Sequence, residues 1–248
     1  MSILLEVCVE TIEDACVAAE LGAQRLELCS ALSVGGVTPS LGMAQAAVEE
    51  TALPCIALIR PRGGDFLYSE REAGAMLRDV ERLREVGCAG IAIGALTSEA
   101  QLAHGLLREM VDAAGEMHAC LHRAFDATTN LEDALETAVQ LGLRRILTSG
   151  GAADAAAGKE RIAALVALAQ GRIEILPGGG VRSSNAAQLV RTSGVDQVHS
   201  SCGGFVASEM RERPAHLVLG RGETGDSGNW RVDPLELRAL LEVLGGLP

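Results

Sequence analysis

Eight short apolar runs alternate with eight longer amphipathic stretches, and this alternation limits the fold more than any other feature of the chain. The runs are 3–8, 25–29, 55–60, 90–94, 117–123, 144–149, 173–177 and 196–200. The amphipathic stretches lie near 11–21, 40–50, 69–86, 98–114, 131–141, 155–170, 183–193 and 233–245. Strand-length runs separated by helix-length stretches are the pattern of parallel βα units. Glycines 22, 87, 142 and 194 close four of the stretches, as helix C-termini favour. Eight of each in 248 residues is the count of an α/β chain folded as a (β/α)8 TIM barrel, with a doubly wound sheet as the other arrangement that suits the alternation. No linker or repeat beyond this alternation appears, so residues 1–248 read as a single domain. A long polar loop, 203–230, follows the eighth strand and would lie over the barrel mouth as a lid or oligomer contact. Its Gly220, Gly222 and Gly225 have GxGxxG spacing, yet no helical pattern follows, so a dinucleotide fingerprint is not expected.

A net charge of −12 and five aromatic residues argue against nucleic acid or an anionic membrane as a partner. Of 21 basic residues only Lys159 is lysine, which leaves little scope for P-loop or Schiff-base chemistry. No uncharged apolar stretch approaches the ~18 residues of a membrane span. The opening segment lacks the basic and apolar regions of a secretory signal. Seven scattered cysteines without a CxxC suit reduced thiols in the cytoplasm.

Side-chain parity along the runs locates the chemistry. In the first run Glu6 and Cys8 share one face with Leu4, opposite Leu5 and Val7; in the second, Arg25, Glu27 and Cys29 oppose Leu26 and Leu28. The aliphatic faces must meet the helices, so Glu6, Cys8, Glu27 and Cys29 should point into the barrel. Arg60 and Arg62 end the third run, His122, Arg123 and Asp126 the fifth, and His199 sits in the eighth. Buried carboxylates need cations or metal, and Arg60, Arg62, Arg123 and the histidines are the expected compensation. These residues suit an ion-pair lattice plugging the barrel, or a catalytic cluster at its C-terminal mouth. In the second case Glu6 and Glu27 serve as acid and base, and His122 as proton donor or electrophile.

An anion cradle is expected beside that cluster. Gly178, Gly179 and Gly180 follow the seventh run, Ser200 closes the eighth, and Ser149 and Gly150 follow the sixth, where barrels place phosphate-binding amides. For a soft metal such as Cu(I), Cys8 and Cys29 are the best pair, since their strands are neighbours and their parity matches; Cys120 and His122 also face inward. A hard cation on Glu6 and Glu27 is the alternative.

The segments RLELCSALSVGGVTPS (25–40), IRPRGGDFLYS (59–69), HRAFD (122–126), ILTSGG (146–151), PGGGVR (177–182) and VHSS (198–201) resemble those of the CutC family, in order, over about residues 3 to 202. The resemblance implies a cytoplasmic (β/α)8 barrel that forms a homodimer or higher homo-oligomer. It also implies a link to copper homeostasis, with Cu(I) bound through cysteines in some members. Carried over, those cysteines are Cys8 and Cys29; some members have two successive cysteines where this chain has Cys8 and Val9. The motifs around Arg60, Arg62, Arg123 and Asp126 are not copper ligands and suit a sugar-like or phosphorylated small molecule instead. Two functions therefore stand: a metal-handling protein, and a barrel enzyme acting on such a substrate.

Overall fold

The structure, a computed structural model, describes residues 3–212 and 227–247. Strands β1 (Leu4–Val9), β2 (Arg25–Leu28), β3 (Cys55–Leu58), β4 (Gly90–Ile93), β5 (His118–Leu121), β6 (Arg145–Thr148), β7 (Glu174–Pro177) and β8 (Gln197–Ser200) form one sheet in the order β7-β6-β5-β4-β3-β2-β1-β8. Every pairing in this sheet is parallel, as the βα alternation requires. The sheet curls into a TIM barrel. At the seam, where β7 and β8 share no ladder, the Gln197 amide donates to Glu174 Oε2 (3.1 Å) and the Ser200 hydroxyl to the Val181 carbonyl (2.7 Å).

Helices α1 (Ile12–Leu21), α2 (Leu41–Thr51), α3 (Glu70–Glu85), α4 (His104–Ala114), α5 (Leu131–Gln140), α6 (Lys159–Ala169), α7 (Ser183–Ser193) and α8 (Pro234–Gly245) follow strands β1 to β8. Local chemistry fixes several starts. Ser69 and Glu72 form a capping box on α3, the Asn130 side chain accepts from two amides of α5, and Asp233 caps α8 ahead of Pro234. The glycines expected to end helices, 22, 87, 142 and 194, all have positive φ.

Two apolar clusters result from strand parity. The outer one packs Leu5, Val7, Leu26, Leu28, Ile91 and Ile146 against helix residues such as Met76, Leu107 and Leu135. The inner one, inside the barrel, holds Cys8, Cys29, Ile56, Leu58, Ala92, Cys120, Leu147 and Leu176. With few aromatics, both are built mainly from aliphatic and sulfur-containing side chains, and Phe125 is the aromatic buried in the outer one.

Three expectations change. Helix α4 starts at His104 instead of 98, because Thr97–Gln101 closes a turn with Ala100 at φ 54°. Helix α6 starts at Lys159 instead of 155, after a turn in which Gly158 packs against the Ser149 carbonyl. The segment after β8 is not loop throughout: β9 (Gly203–Ala207) and β10 (Gly228–Val232) pair as an antiparallel ribbon with Phe205 opposite Trp230. The ribbon is tied to α1 by Asp14 Oδ1, which accepts from Arg231 Nε (3.0 Å) and the Val232 amide (3.1 Å). Gly220, Gly222 and Gly225 lie outside the described residues. Among the described residues no helix is long and apolar enough to cross a membrane.

Candidate functional site

Parity brings Glu6, Cys8, Glu27, Cys29 and His199 together inside the barrel, all buried. Register explains the contacts: Glu6 pairs with Arg25 across β1–β2 and with His199 across β1–β8, while Cys8 pairs with Glu27. The cation that neutralises Glu6 is therefore Arg25, whose Nε binds the carboxylate directly while Nη2 donates to Gln197 (2.8 Å). This corrects the expectation that Arg60, Arg62 and Arg123 compensate the buried glutamates. Arg25, Gln197, Glu174 and Arg145 form a polar layer across the barrel beneath the thiols.

His199 lies between two carboxylates. Its Nδ1 is 2.7 Å from Glu6 Oε1, and its Nε2 is 3.9 Å from Glu27 Oε2. Burial disfavours an imidazolium there, but Glu27 and Glu6 outweigh it and hold the ring well above its ordinary value. Burial likewise works to raise Glu6, and the His199 hydrogen bond and Arg25 overcome it to bring the carboxyl to about 2. Glu27 differs. Its neighbours are the distant His199 nitrogen and the Cys8 thiol, so burial prevails and its carboxyl is raised. Glu6 is thus held as an anion, while burial favours the neutral form of Glu27.

The two thiols touch, with Cys8 Sγ 3.5 Å from Cys29 Sγ. The Cys29 hydrogen bond and burial push the Cys8 thiol well up. One donor atom each from Cys8, Glu27 and His199 lie within 4.8 Å of one another, so Glu27 and His199 join Cys8 as a group that could hold a metal.

At the mouth, His122 accepts the Ala124 amide at Nδ1 (3.0 Å), which places its proton on Nε2. That Nε2 is buried and has no hydrogen-bond partner. Burial and the nearby Arg60 hold the ring neutral, at about 3. The ring fits because Gly94 has no side chain: a Cβ there would stand 2.3 Å from His122 Cε1. Phe66 packs on the imidazole at 5.1 Å, and the Arg60 guanidinium lies 5.1 Å from the centre of the Phe66 ring.

The arginines divide by role. Arg60 Nη1 donates to Val34 O (2.9 Å) and Gly36 O (2.8 Å), and Nη2 to Gly64 O (2.7 Å). It is a buried clamp between the loops after β2 and β3, which corrects its expected role as an anion binder. Arg62 holds Glu72 (2.6 Å) and Asp65 (3.1 Å) and, unlike Arg60, does not line the pocket between these loops, so it falls outside the site. Arg123 does line it, bound through Nε to Asp126 (2.9 Å) and through Nη2 to the Ser149 hydroxyl (2.8 Å), with Nη1 against Gly179.

The expected anion cradle is largely engaged by the protein itself. Asp126 accepts from the Ser149 amide (2.9 Å), the Ser149 hydroxyl (3.1 Å) and the Gly151 amide (3.0 Å), and the Gly150 amide donates to Thr148 Oγ1 (2.8 Å). The Gly178 amide donates to Thr148 O (2.9 Å), and the Ser200 hydroxyl is held by Val181. Asp126 is thus a structural anion standing where a ligand anion was expected, and Ser149, Gly150, Gly178 and Ser200 have their donors engaged. Among the described residues of this cradle, only the Gly179 and Gly180 amides make no hydrogen bond.

A pocket of about 150 Å³ joins these parts, lined by Cys8, Glu27, Cys29, His122, Arg123 and His199 among others. Sequence reasoning overlooked Arg25 as the partner of Glu6, although its parity with Glu27 was visible. It also overlooked Phe66 and Gly94, which position His122 and carry no polar signal.

The sequence profile of the CutC family matches residues 3–204. A Pasteurella multocida CutC family protein is 42% identical over 236 residues, covering 95% of this chain and 96% of that one. A Caulobacter vibrioides CutC family protein is 47% identical over 205 residues, covering 82% and 83%. The solved structure of CutC from Streptococcus agalactiae, named for copper homeostasis, matches with a TM-score of 0.77 and 32% identity over 80% of this chain and 98% of that one.

Proposed function

The chain belongs to the CutC family, and from that premise we propose that it is an enzyme of acid–base chemistry on a small sugar-like hydroxy-carbonyl compound held at the barrel mouth. One observation carries this reading: a neutral imidazole with an unpartnered Nε2–H and a sparsely partnered carboxylate, His122 and Glu27, line the same pocket. Glu27 takes the proton from carbon or oxygen next to the carbonyl. His122 donates its Nε2–H hydrogen bond to the carbonyl oxygen as negative charge develops there, the role a neutral imidazole performs well in a dry site. The Glu6–His199 pair keeps a cation beside Glu27, and Arg123 Nη1 is placed for hydroxyl groups. With Asp126 seated in the cradle, a neutral substrate suits the site better than a phosphorylated one. The enzyme would act in the cytoplasm, where its thiols stay reduced, as a homodimer or higher homo-oligomer.

The test is solvent deuterium incorporation, followed by NMR, into a panel of aldoses and ketoses. Incorporation by the native protein should fall by roughly 10²–10⁴-fold in Glu27→Gln and in His122→Gln. An inert panel, or activity unmoved by both changes, overturns the reading.

A second reading rests on the contact between Cys8 and Cys29. Two thiols and the His199 Nε2, whose Nδ1 is oriented by Glu6, are a soft donor set that fits Cu(I) as cargo. Against it, the Cys8 thiol must lose its proton in a buried setting that favours the thiol. Near-stoichiometric Cu(I) binding, measured anaerobically and lost in Cys8→Ser and Cys29→Ser, would establish it. Unchanged binding in both variants would remove it.

A further inference from the structure

A second hollow opens beside the first. It measures about 250 Å³ and is walled by Val9, Leu32, Val232 and Trp230. It meets the catalytic pocket at Cys8 and Leu32, which line both. Each hollow alone is smaller than the roughly 300–1,000 Å³ of ordinary small-molecule sites, and only together do they reach that range.

The character of the two differs. The first is ringed by His122, Glu27, His199 and Arg123, while the second sets Val9, Leu32, Val232 and one indole face beside Glu10 and the mutually paired Asp14 and Arg231. Trp230 is the chain's single tryptophan and is left 48% exposed. Its strand is nonetheless fixed, because Asp14 grips Arg231 and the Val232 amide on one side and the Asp233 amide donates to Cys202 O (2.9 Å) on the other. An exposed indole on an anchored ribbon, lining a hollow that shares Cys8 and Leu32 with a polar site, is a preformed platform for a flat apolar group.

We propose that this hollow is a second subsite, in which Trp230 and Leu32 receive a flat apolar ring carried by the substrate whose hydroxylated part lies against His122 and Glu27. The assignment rests on the catalytic reading given above for the hydroxylated part. It narrows the substrate to a sugar-like compound bearing an aryl or similar planar substituent.

The experiment compares 1-hydroxy-3-phenylpropan-2-one with 1-hydroxybutan-2-one, hydroxy-ketones that differ only in the phenyl or methyl group meant for the second hollow. Because Trp230 is the only tryptophan, emission excited at its red edge reports this subsite alone. The phenyl compound should bind about ten-fold more tightly than the methyl compound and should change the emission saturably. By calorimetry, Trp230→Ala should erase that advantage and Trp230→Phe should keep most of it. Since Trp230 stands on the ribbon outside the barrel cores, circular dichroism should show an intact fold in both. Equal affinities for the two hydroxy-ketones, an advantage that survives Trp230→Ala, or no binding of either overturns the subsite. Deuterium incorporation separates it from the reading beneath it. An aryl advantage without incorporation into any sugar leaves the subsite standing and removes the catalytic role, whereas incorporation without an aryl advantage does the reverse.

Discussion

Glu6 meets His199 at 2.7 Å while Glu27 stands 3.9 Å from the same ring, so the two inward carboxylates are unequal partners of one imidazole. Glu6 is also bound by Arg25 and sits at the centre of a buried network. Removing one member of such a pair leaves the other charge stranded.

Glu6→Gln should therefore lower the unfolding free energy by roughly 3–5 kcal/mol. Glu27→Gln should leave stability unchanged or raise it slightly, because its buried charge has little to satisfy it. Urea midpoints of the two variants check the contrast, and similar losses in both would contradict it.

His122 sets an acid limit. Its folded-state value of about 3 lies below the ordinary 6.5, so the unfolded chain binds the proton first. Its contribution is complete above pH 6.5 and is lost progressively as pH falls from 6.5 towards 3. Glu6, also depressed, loses its contribution lower, between 4.5 and about 2. The difference between the native and His122→Asn stability profiles should thus shrink between pH 6.5 and 4.5; a constant difference across that window would refute the assignment.

Gly94→Ala should disturb the site without touching a polar group. The new methyl would stand 2.3 Å from His122 Cε1 and 2.7 Å from Ala124 Cβ, so the imidazole must move. A loss of about 1–3 kcal/mol is expected, as for other overpacked positions, with turnover falling with it. The His122 ring resonances, shifted by Phe66, report the displacement directly.

Arg60→Lys should loosen the rim, since an ammonium cannot span Val34, Gly36 and Gly64 carbonyls at once. Limited proteolysis should then cut within 33–36 and 63–66. Arg62→Lys, at a half-exposed ion-paired position, should leave these loops as resistant as before.

The barrel was legible because its outward strand faces are aliphatic and its helices end at glycine, both of which are properties of local sequence. The inward cluster was legible from parity alone, which put Glu6, Cys8, Glu27 and Cys29 together before any contact was known. Partner choice was not. The sequence pointed to Arg60, Arg62 and Arg123 as the cations and passed over Arg25, which the β1–β2 register sets beside Glu6. The filled cradle was hidden for a similar reason: Asp126 reads as a mouth carboxylate until the turn after β5 swings it onto the amides after β6. The ribbon escaped notice because Gly and polar residues mask its short alternation.

The missing ladder between β7 and β8 gives this cylinder the mechanics of a split ring. Side chains, and not a backbone ladder, close the wall there. That line runs past Gly178 and His199, which pack so closely that a methyl on Gly178 would come within 3.3 Å of the His199 Cβ. Any widening of the split would therefore be felt first by the imidazole that stands between Glu6 and Glu27.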